Sequence, residues 1–336
     1  MRINKLLNEL ESLQLKAIIV SNLNNIRYLS GFTGDTGKLL ITANKSYIIV
    51  DGRFTEQAAK ETNLEVIDYE GSFIKTINKL LNKEQITKCG FESVYITHKE
   101  YELLKKELEN KELIPTEGII ERIRMIKEKS EIKLIKKALD IANSTFEEIR
   151  PQIVPGLTER EISAEIEYRM KKKGAEGVAF ETVVASGKRS SLPHGTATDK
   201  KIEYGDAVVI DMGAKYQGYC SDMTRTIFIG EMTEEQQKIY EIVEKAQKDA
   251  IEAIDIGVKC SRPCEIVIDE FKKYELDKYF IHSLGHGVGL DVHERPYIAT
   301  RSTDEFQLGM IVAIEPGIYL PNKFGVRIED MVIITE

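Results

Sequence analysis

The stretch I-H-S-L-G-H-G-V-G-L-D-V-H-E, from Ile281 to Glu294, holds three of the five histidines in this 336-residue chain. Its glycines, Gly285, Gly287 and Gly289, fall at every second position. Each costs a helix roughly 1 kcal/mol relative to alanine, so the stretch is predicted to be extended or irregular. Side chains on such a backbone alternate between faces, which makes His282 and His286 look the same way. The glycines then leave the opposite face bare for a close neighbour. The i, i+4 histidine spacing is therefore not that of the two-histidine metal helix H-E-x-x-H.

Outward from this stretch, the length suits two domains, each able to bury its own core. The formal net charge of −8 argues against nucleic acid or an anionic membrane as the main partner. Met1 to Lys16 reads as an amphipathic helix rather than a signal peptide, and no later apolar run approaches the ~20 residues of a membrane span, so the expected location is the cytoplasm. Cys89, Cys220, Cys260 and Cys264 form no C-x-x-C pair, which predicts reduced thiols rather than a disulfide framework or a zinc site.

From Ala17 to about Gly118, β-rich runs alternate with helical ones. The predicted strands are Ala17–Val20, Lys38–Ile41, Tyr47–Val50, Glu65–Tyr69 and Lys88–Glu92. Helices are expected at Phe54–Glu61, Phe73–Leu81 and Lys99–Leu108, the last capped by Thr97. This is a small mixed α/β domain without a catalytic constellation, and His98 within it reads as a surface or capping residue. A charged helical stretch around Ile119–Ile135 leads into the second domain. There the capping boxes Thr158-x-x-Glu161 and Thr233-x-x-Gln236 open two scaffold helices, the first closed by Gly174.

Two hairpins of the second domain carry the informative carboxylates. In Val208–Thr226 a two-residue turn at Tyr216-Gln217 would set Asp211 directly opposite Asp222. In Val312–Ile333 a three-residue loop at Pro321–Lys323 would set Glu315 opposite Glu329. Carboxylates on cross-strand partners, about 4.5–5.5 Å apart at Cβ, repel unless cations lie between them. The likeness of V-V-I-D-x-G to V-A-I-E-P-G predicts an internal repeat with pseudo-twofold symmetry, each half giving one carboxylate pair. With His286 these four acids form an oxygen-rich donor set suited to two divalent ions such as Mn, Co or Zn, roughly 3.5–4 Å apart. Arg327, two residues before Glu329, shares its side of the strand and is placed to orient a carboxylate or the substrate.

The segments I-D-M-G at 210–213, S-D-M-T-R-T at 221–226, H-S-L-G-H-G-V-G-L-D-V-H-E, I-E-P-G-I-Y and G-V-R-I-E-D together resemble the dinuclear metallopeptidases that share the pita-bread fold. Within them the resemblance is to the proline-specific branch, Xaa-Pro dipeptidase (prolidase) and aminopeptidase P, and it covers essentially the whole chain. It implies an α+β protein: a pita-bread catalytic domain with pseudo-twofold αβ halves at residues 121–336, after a smaller mixed α/β N-terminal domain at residues 1–120. It also implies that Asp211, Asp222, His286, Glu315 and Glu329 hold two divalent ions, Mn or Co before Zn or Fe.

By the same resemblance, His194 and His293 hydrogen-bond the substrate and its tetrahedral intermediate, and His282 lies by the substrate pocket. Glu315 is the expected proton carrier, with Tyr219 and Thr224 packed behind. The implied substrate is a proline-containing di- or oligopeptide, with dipeptides slightly favoured, and the implied assembly is a homodimer. A methionine aminopeptidase shares the fold but usually lacks the N-terminal domain. A creatinase-like hydrolase or a non-catalytic binding relative would lack the metal ligands kept here. Relatives usually continue for a short tail, so ending at Glu336 is expected to leave the Glu329 strand less covered.

Overall fold

The computed structural model describes residues 2–69 and 71–335; Met1 and Glu336 lie outside the described residues. The chain divides into two compact units, Met1–Arg124 and Met125–Glu336. The first unit runs α1 (Arg2–Ser12), β1 (Ala17–Val20), α2 (Leu23–Ser30), β2 (Lys38–Thr42), β3 (Ser46–Val50), α3 (Thr55–Glu61), β4 (Glu65–Asp68), α4 (Phe73–Lys83), β5 (Lys88–Glu92), α5 (His98–Glu107), β6 (Glu112–Thr116) and α6 (Ile119–Arg124). Its six strands form one mixed sheet in the order β4-β3-β2-β1-β5-β6. Ala17, Ile19, Leu40, Tyr47 and Ile49 alternate onto a face covered by Ile77 and Leu81 of α4 and Leu104 of α5.

Two elements of this unit escaped sequence reading. Strand β6 contains Pro115 and pairs only with β5, the edge position at which a proline is tolerated. Helix α2 has only eight residues, and its signals lie at its ends: Asn22 caps the amide of Asn25, and Gly31 stops it at φ 82°.

The second unit contains two similar halves. The first comprises α7 (Lys129–Ile149), α8 (Glu159–Lys172), β7 (Gly177–Val178), β8 (Val183–Ser186), β9 (Ala207–Met212), β10 (Ala214–Tyr216), β11 (Tyr219–Cys220) and β12 (Met223–Phe228). The second comprises α9 (Glu234–Glu252), α10 (Arg262–Lys272), β13 (Gly285–Gly287), β14 (Glu294–Ile298), β15 (Ile311–Ile314), β16 (Gly317–Leu320), β17 (Phe324–Arg327) and β18 (Asp330–Ile333). One sheet has the order β8-β9-β12 and the other β13-β15-β18, with β14 added outside β13. The hairpin tips β10–β11 and β16–β17 interrupt the two halves at the same place. This is the internal repeat expected from V-V-I-D and V-A-I-E.

Each helix pair packs on its own sheet. Ile141, Phe146, Ile162 and Ile166 meet Val208, Ile210 and Met212, while Val243, Val267 and Phe271 meet Val312 and Ile314. Because the strand period is two, the odd-numbered Asp211 and Glu315 face away from their helices. Both capping boxes are present, with Thr158 and Thr233 accepting from the amides of Glu161 and Gln236. Among the described residues no helix is long and apolar enough to cross a membrane, and all four cysteines are buried and free.

One register differs from expectation. The first hairpin turns at Gln217-Gly218, both at positive φ of 44° and 82°, the pattern of a type I′ turn. Asp211 therefore stands opposite Thr224, and Asp222 lies two residues off, where the strand is broken between β11 and β12. A twist-matching turn needs two left-handed residues, and placing it at Tyr216-Gln217 would leave Gly218 outside it. The second hairpin follows the predicted register: Gly317 pairs with Arg327 and Ile314 with Asp330, ladders that bracket Glu315 and Glu329.

The glycine stretch is not helical: it is extended at Gly285–Gly287 and irregular around it, within the extended-or-irregular expectation. A Cβ on Gly285 would collide with the Ala313 carbonyl oxygen, and one on Gly287 with that of Arg295. These strands close only over bare backbone. Gly285→Ala is accordingly expected to cost about 3 kcal/mol or more, at or beyond the upper end for overpacking. Gly156→Ala, at φ 97° with open space around it, is expected to cost only about 1–2 kcal/mol of left-handed strain. Urea midpoints of the two variants would compare them, and equal losses would show that β13 does not need its glycines.

Candidate metal centre

The inward faces of the two sheets enclose a cleft of about 480 Å³. Asp211, Asp222, His286, Glu315 and Glu329 all line it, together with His194, His282, His293 and Arg327. Every site residue singled out in the sequence thus reaches one pocket. Donor atoms of Asp211, Asp222 and Glu329 lie within 4.8 Å of one another, as do those of His286, Glu315 and Glu329 and those of Asp222, His286 and His293. His286 Nε2 stands 3.5 Å from Asp222 Oδ2 and 3.6 Å from Glu315 Oε1. The off-register Asp222 therefore still joins the cluster.

Local structure fixes each donor. His286 Nδ1 is 3.0 Å from the Gly287 carbonyl oxygen; that oxygen can only accept, so the proton sits on Nδ1 and the Nε2 lone pair faces the acids. Thr224 Oγ1 donates to Glu329 Oε2 at 2.8 Å and accepts from Arg327 Nε at 3.1 Å. Arg327 Nη2 donates to Asp211 Oδ2 at 2.6 Å, and its Nη1 donates to the Pro193 carbonyl and the Tyr319 hydroxyl. Arg327 thus holds Asp211 directly and Glu329 through Thr224. Tyr319 was missed in the sequence, although it closes the quoted motif I-E-P-G-I-Y. Its hydroxyl joins Arg327 to His282 Nε2 at 2.9 Å. Tyr219 turns away and donates to Glu131.

One buried guanidinium faces four carboxylates. Burial, reinforced by the other acids, raises the carboxyls of Asp222 and Glu329 well above the ordinary range. Burial likewise pushes Glu315 up to about 8. His286 and His282 are pulled down to about 4, chiefly by burial, and His293 is lowered for the same main reason. Asp211 Oδ1 is buried with no hydrogen-bond partner among the described residues. A surplus of buried carboxylate, an unpartnered oxygen and a neutral imidazole lone pair fit divalent cations.

The comparisons agree with this chemistry. Residues 133–336 match metallopeptidase family M24, and residues 2–126 match the creatinase/prolidase N-terminal domain. The chain belongs to metallopeptidase family M24. It is 40% identical to an Xaa-Pro dipeptidase of Pyrococcus horikoshii, with 100% of this chain and 94% of that protein aligned. An Xaa-Pro dipeptidase structure from Bacillus anthracis superposes with a TM-score of 0.97 at 41% identity, covering 99% of this chain and 94% of that one. An X-Pro aminopeptidase structure from Thermotoga maritima gives 0.90 at 39% identity, covering 97% and 95%. The chain therefore has the pita-bread architecture, and its family uses divalent metal.

The shifted groups set the pH response of metal-free protein. Glu315 is raised to about 8, so the folded state binds a proton that the unfolded state releases above ~4.3. Stability from this group is present at low pH and is lost as pH rises through 8. His282 and His286, lowered to about 4, act oppositely below ~6.5, where the unfolded state takes up their protons. Urea midpoints in chelator are expected to rise as pH falls from 9 to 6.5, by at most about 1.4 kcal/mol per unit for each proton, and to level off below. A midpoint that falls over 9 to 6.5 would count against this balance. Glu329→Gln is expected to raise the metal-free Tm, because an amide is spared the cost of burying a carboxyl beside other acids, whether as the charged form or with a proton taken up to neutralise it. The same variant should lose most of the ~2.7 kcal/mol that a cation at a hundred times its Kd gives the wild type; differential scanning calorimetry with and without Mn would show both effects.

Proposed function

We propose that this protein is a metal-dependent Xaa-Pro dipeptidase. The observation that carries the reading is the five-donor cleft in a chain similar over its whole length to proteins named Xaa-Pro dipeptidase. Asp211, Asp222, His286, Glu315 and Glu329 are the proposed ligands of two divalent ions, with Mn or Co preferred over Zn or Fe. Such ions supply Lewis-acid polarisation of a carbonyl and acidify a water.

The remaining chemistry belongs to the side chains. Glu315, in the cleft beside His286, accepts a proton from the attacking water and returns it to the leaving nitrogen. An X-Pro bond has no N–H, so the site must bring a proton to that nitrogen and leave room for the ring. His293 and His194, at the cleft wall, donate to the oxygen on which charge develops. His282 bounds the substrate pocket. Arg327 hydrogen-bonds Asp211, Thr224, Pro193 and Tyr319, which favours orienting the carboxylates over gripping substrate. Net charge and buried free thiols support a cytoplasmic enzyme, and we take it to be a homodimer.

The second reading, aminopeptidase P acting on longer peptides, is favoured by the similarity to the Thermotoga maritima structure. Hydrolysis of Ala-Pro, Met-Pro and Arg-Pro-Pro by metal-stripped protein, before and after adding Mn or Co, separates the two. Metal-dependent cleavage of the dipeptides alone is expected. Cleavage of Arg-Pro-Pro would move the assignment to aminopeptidase P, and silence on all three with metal bound would overturn both. Glu315→Gln is expected to lower kcat by about 10²–10⁴-fold, the range of general acid–base catalysis, with unchanged circular dichroism. Near-normal turnover would remove Glu315 as the proton carrier.

A further inference from the structure

Glu159 opens α8 far along the chain from the carboxylate cluster, and its side chain is fully buried. Oε1 accepts from the Ser186 amide at 2.7 Å and the Ser186 hydroxyl at 2.8 Å. Oε2 accepts from the Thr198 amide at 3.1 Å, the Thr198 hydroxyl at 2.7 Å and Arg189 Nε at 3.1 Å. Ser186 and Thr198 are the two ends of one loop, and His194 sits within it. Arg189, held by the same carboxylate, also donates to the Thr196 carbonyl. Between these anchors the chain makes a 3-10 turn at Gly187–Ser191 and a bridge from Thr196 back to Val183. One carboxylate thus ties both ends of the segment that brings His194 to the cleft.

We propose that Glu159 is a positioning residue for the reaction: it sets the shape of the 186–198 loop and, through it, the place of His194. This rests on the reading of His194 as a substrate-contacting group. The chemistry requires a carboxylate, because each oxygen faces at least one N–H that can only donate. A glutamine has one oxygen and one NH₂, so either orientation turns a donor against a donor. An aspartate is one methylene shorter and cannot span both loop ends from the same helix position.

The test is a double-mutant cycle on Mn-loaded protein with Ala-Pro, using Glu159→Gln, His194→Ala and the pair. Glu159→Gln is expected to lower kcat/KM at least tenfold while changing it less than twofold in the His194→Ala background, because its effect passes through that imidazole. Equal losses in both backgrounds would overturn the proposal and leave Glu159 a merely structural residue. If His194→Ala alone is as active as wild type, it is the reading of His194 that fails, and the proposal falls with it. A second measurement needs no metal or substrate: hydrogen exchange of metal-free Glu159→Gln should lose protection across 187–198 while α7 and β9 keep theirs. Should Glu159→Gln not fold, Thr198→Val, which removes only one hydroxyl from Oε2, is expected to show the same selective loss and non-additivity in smaller measure. Unchanged protection of the loop in the folded variants would equally overturn it.

Discussion

The cleft gathers four carboxylates around one buried guanidinium, and the rest of the unit is arranged to tolerate that repulsion. At an effective dielectric constant of 20, two unit charges 4 Å apart interact by about 4 kcal/mol. Several such pairs approach the entire stability of a domain, about 5–15 kcal/mol. Burial first, and the neighbouring acids after it, raise the carboxyls of Asp222, Glu315 and Glu329, which relieves part of that repulsion by protonation. Arg327 offsets part of it by pairing with Asp211 and steadying Glu329 through Thr224. It is buried itself, so its own charge depends on the acids it restrains.

Holding like charges together demands stiff supports, and the duplicated half provides them. In each half a helix pair covers one face of an antiparallel sheet, and strand alternation sends an acid out of the opposite face. β13 then brings His286 between two neighbours whose carbonyls allow no Cβ at Gly285 or Gly287. The glycines therefore serve packing directly and chemistry indirectly: without them the imidazole could not lie this close to the strand bearing Glu315.

Much of this could be read from residues alone, and the limits have physical causes. The alternating glycines excluded a helix, the capping boxes fixed the starts of α8 and α9, and the loop at Pro321–Lys323 set the register around Glu315 and Glu329. The register of Asp211 was misjudged by two residues because a tight hairpin is decided by φ at its centre, where Gln217 and Gly218 both turn left-handed. The composition of Tyr216-Gln217 gave no sign of that. Tyr319 was overlooked because a tyrosine between apolar neighbours on a strand looks like core, and only the fold brings its hydroxyl to Arg327 and His282. Glu159 was legible as the residue after an N-cap, but the five donors on it come from residues 27 to 39 positions away.

Burial acts on the two kinds of donor in opposite senses and to the same end. It raises carboxyl pKa values and lowers those of imidazoles, so without cations both classes move towards their neutral forms. For His286 this is already the form that binds a metal: the Gly287 carbonyl holds the proton on Nδ1 and leaves Nε2 open. For the acids it is the wrong form, so a divalent ion held there would have to displace protons from carboxylates while finding the imidazole prepared. Proton competition at this centre therefore belongs to the raised carboxyls of Asp222, Glu315 and Glu329, and to His286 only under much more acid conditions. Glu315 feels this most directly: burial holds its carboxyl up at about 8 without a cation, and a cation beside it would favour the charged form instead.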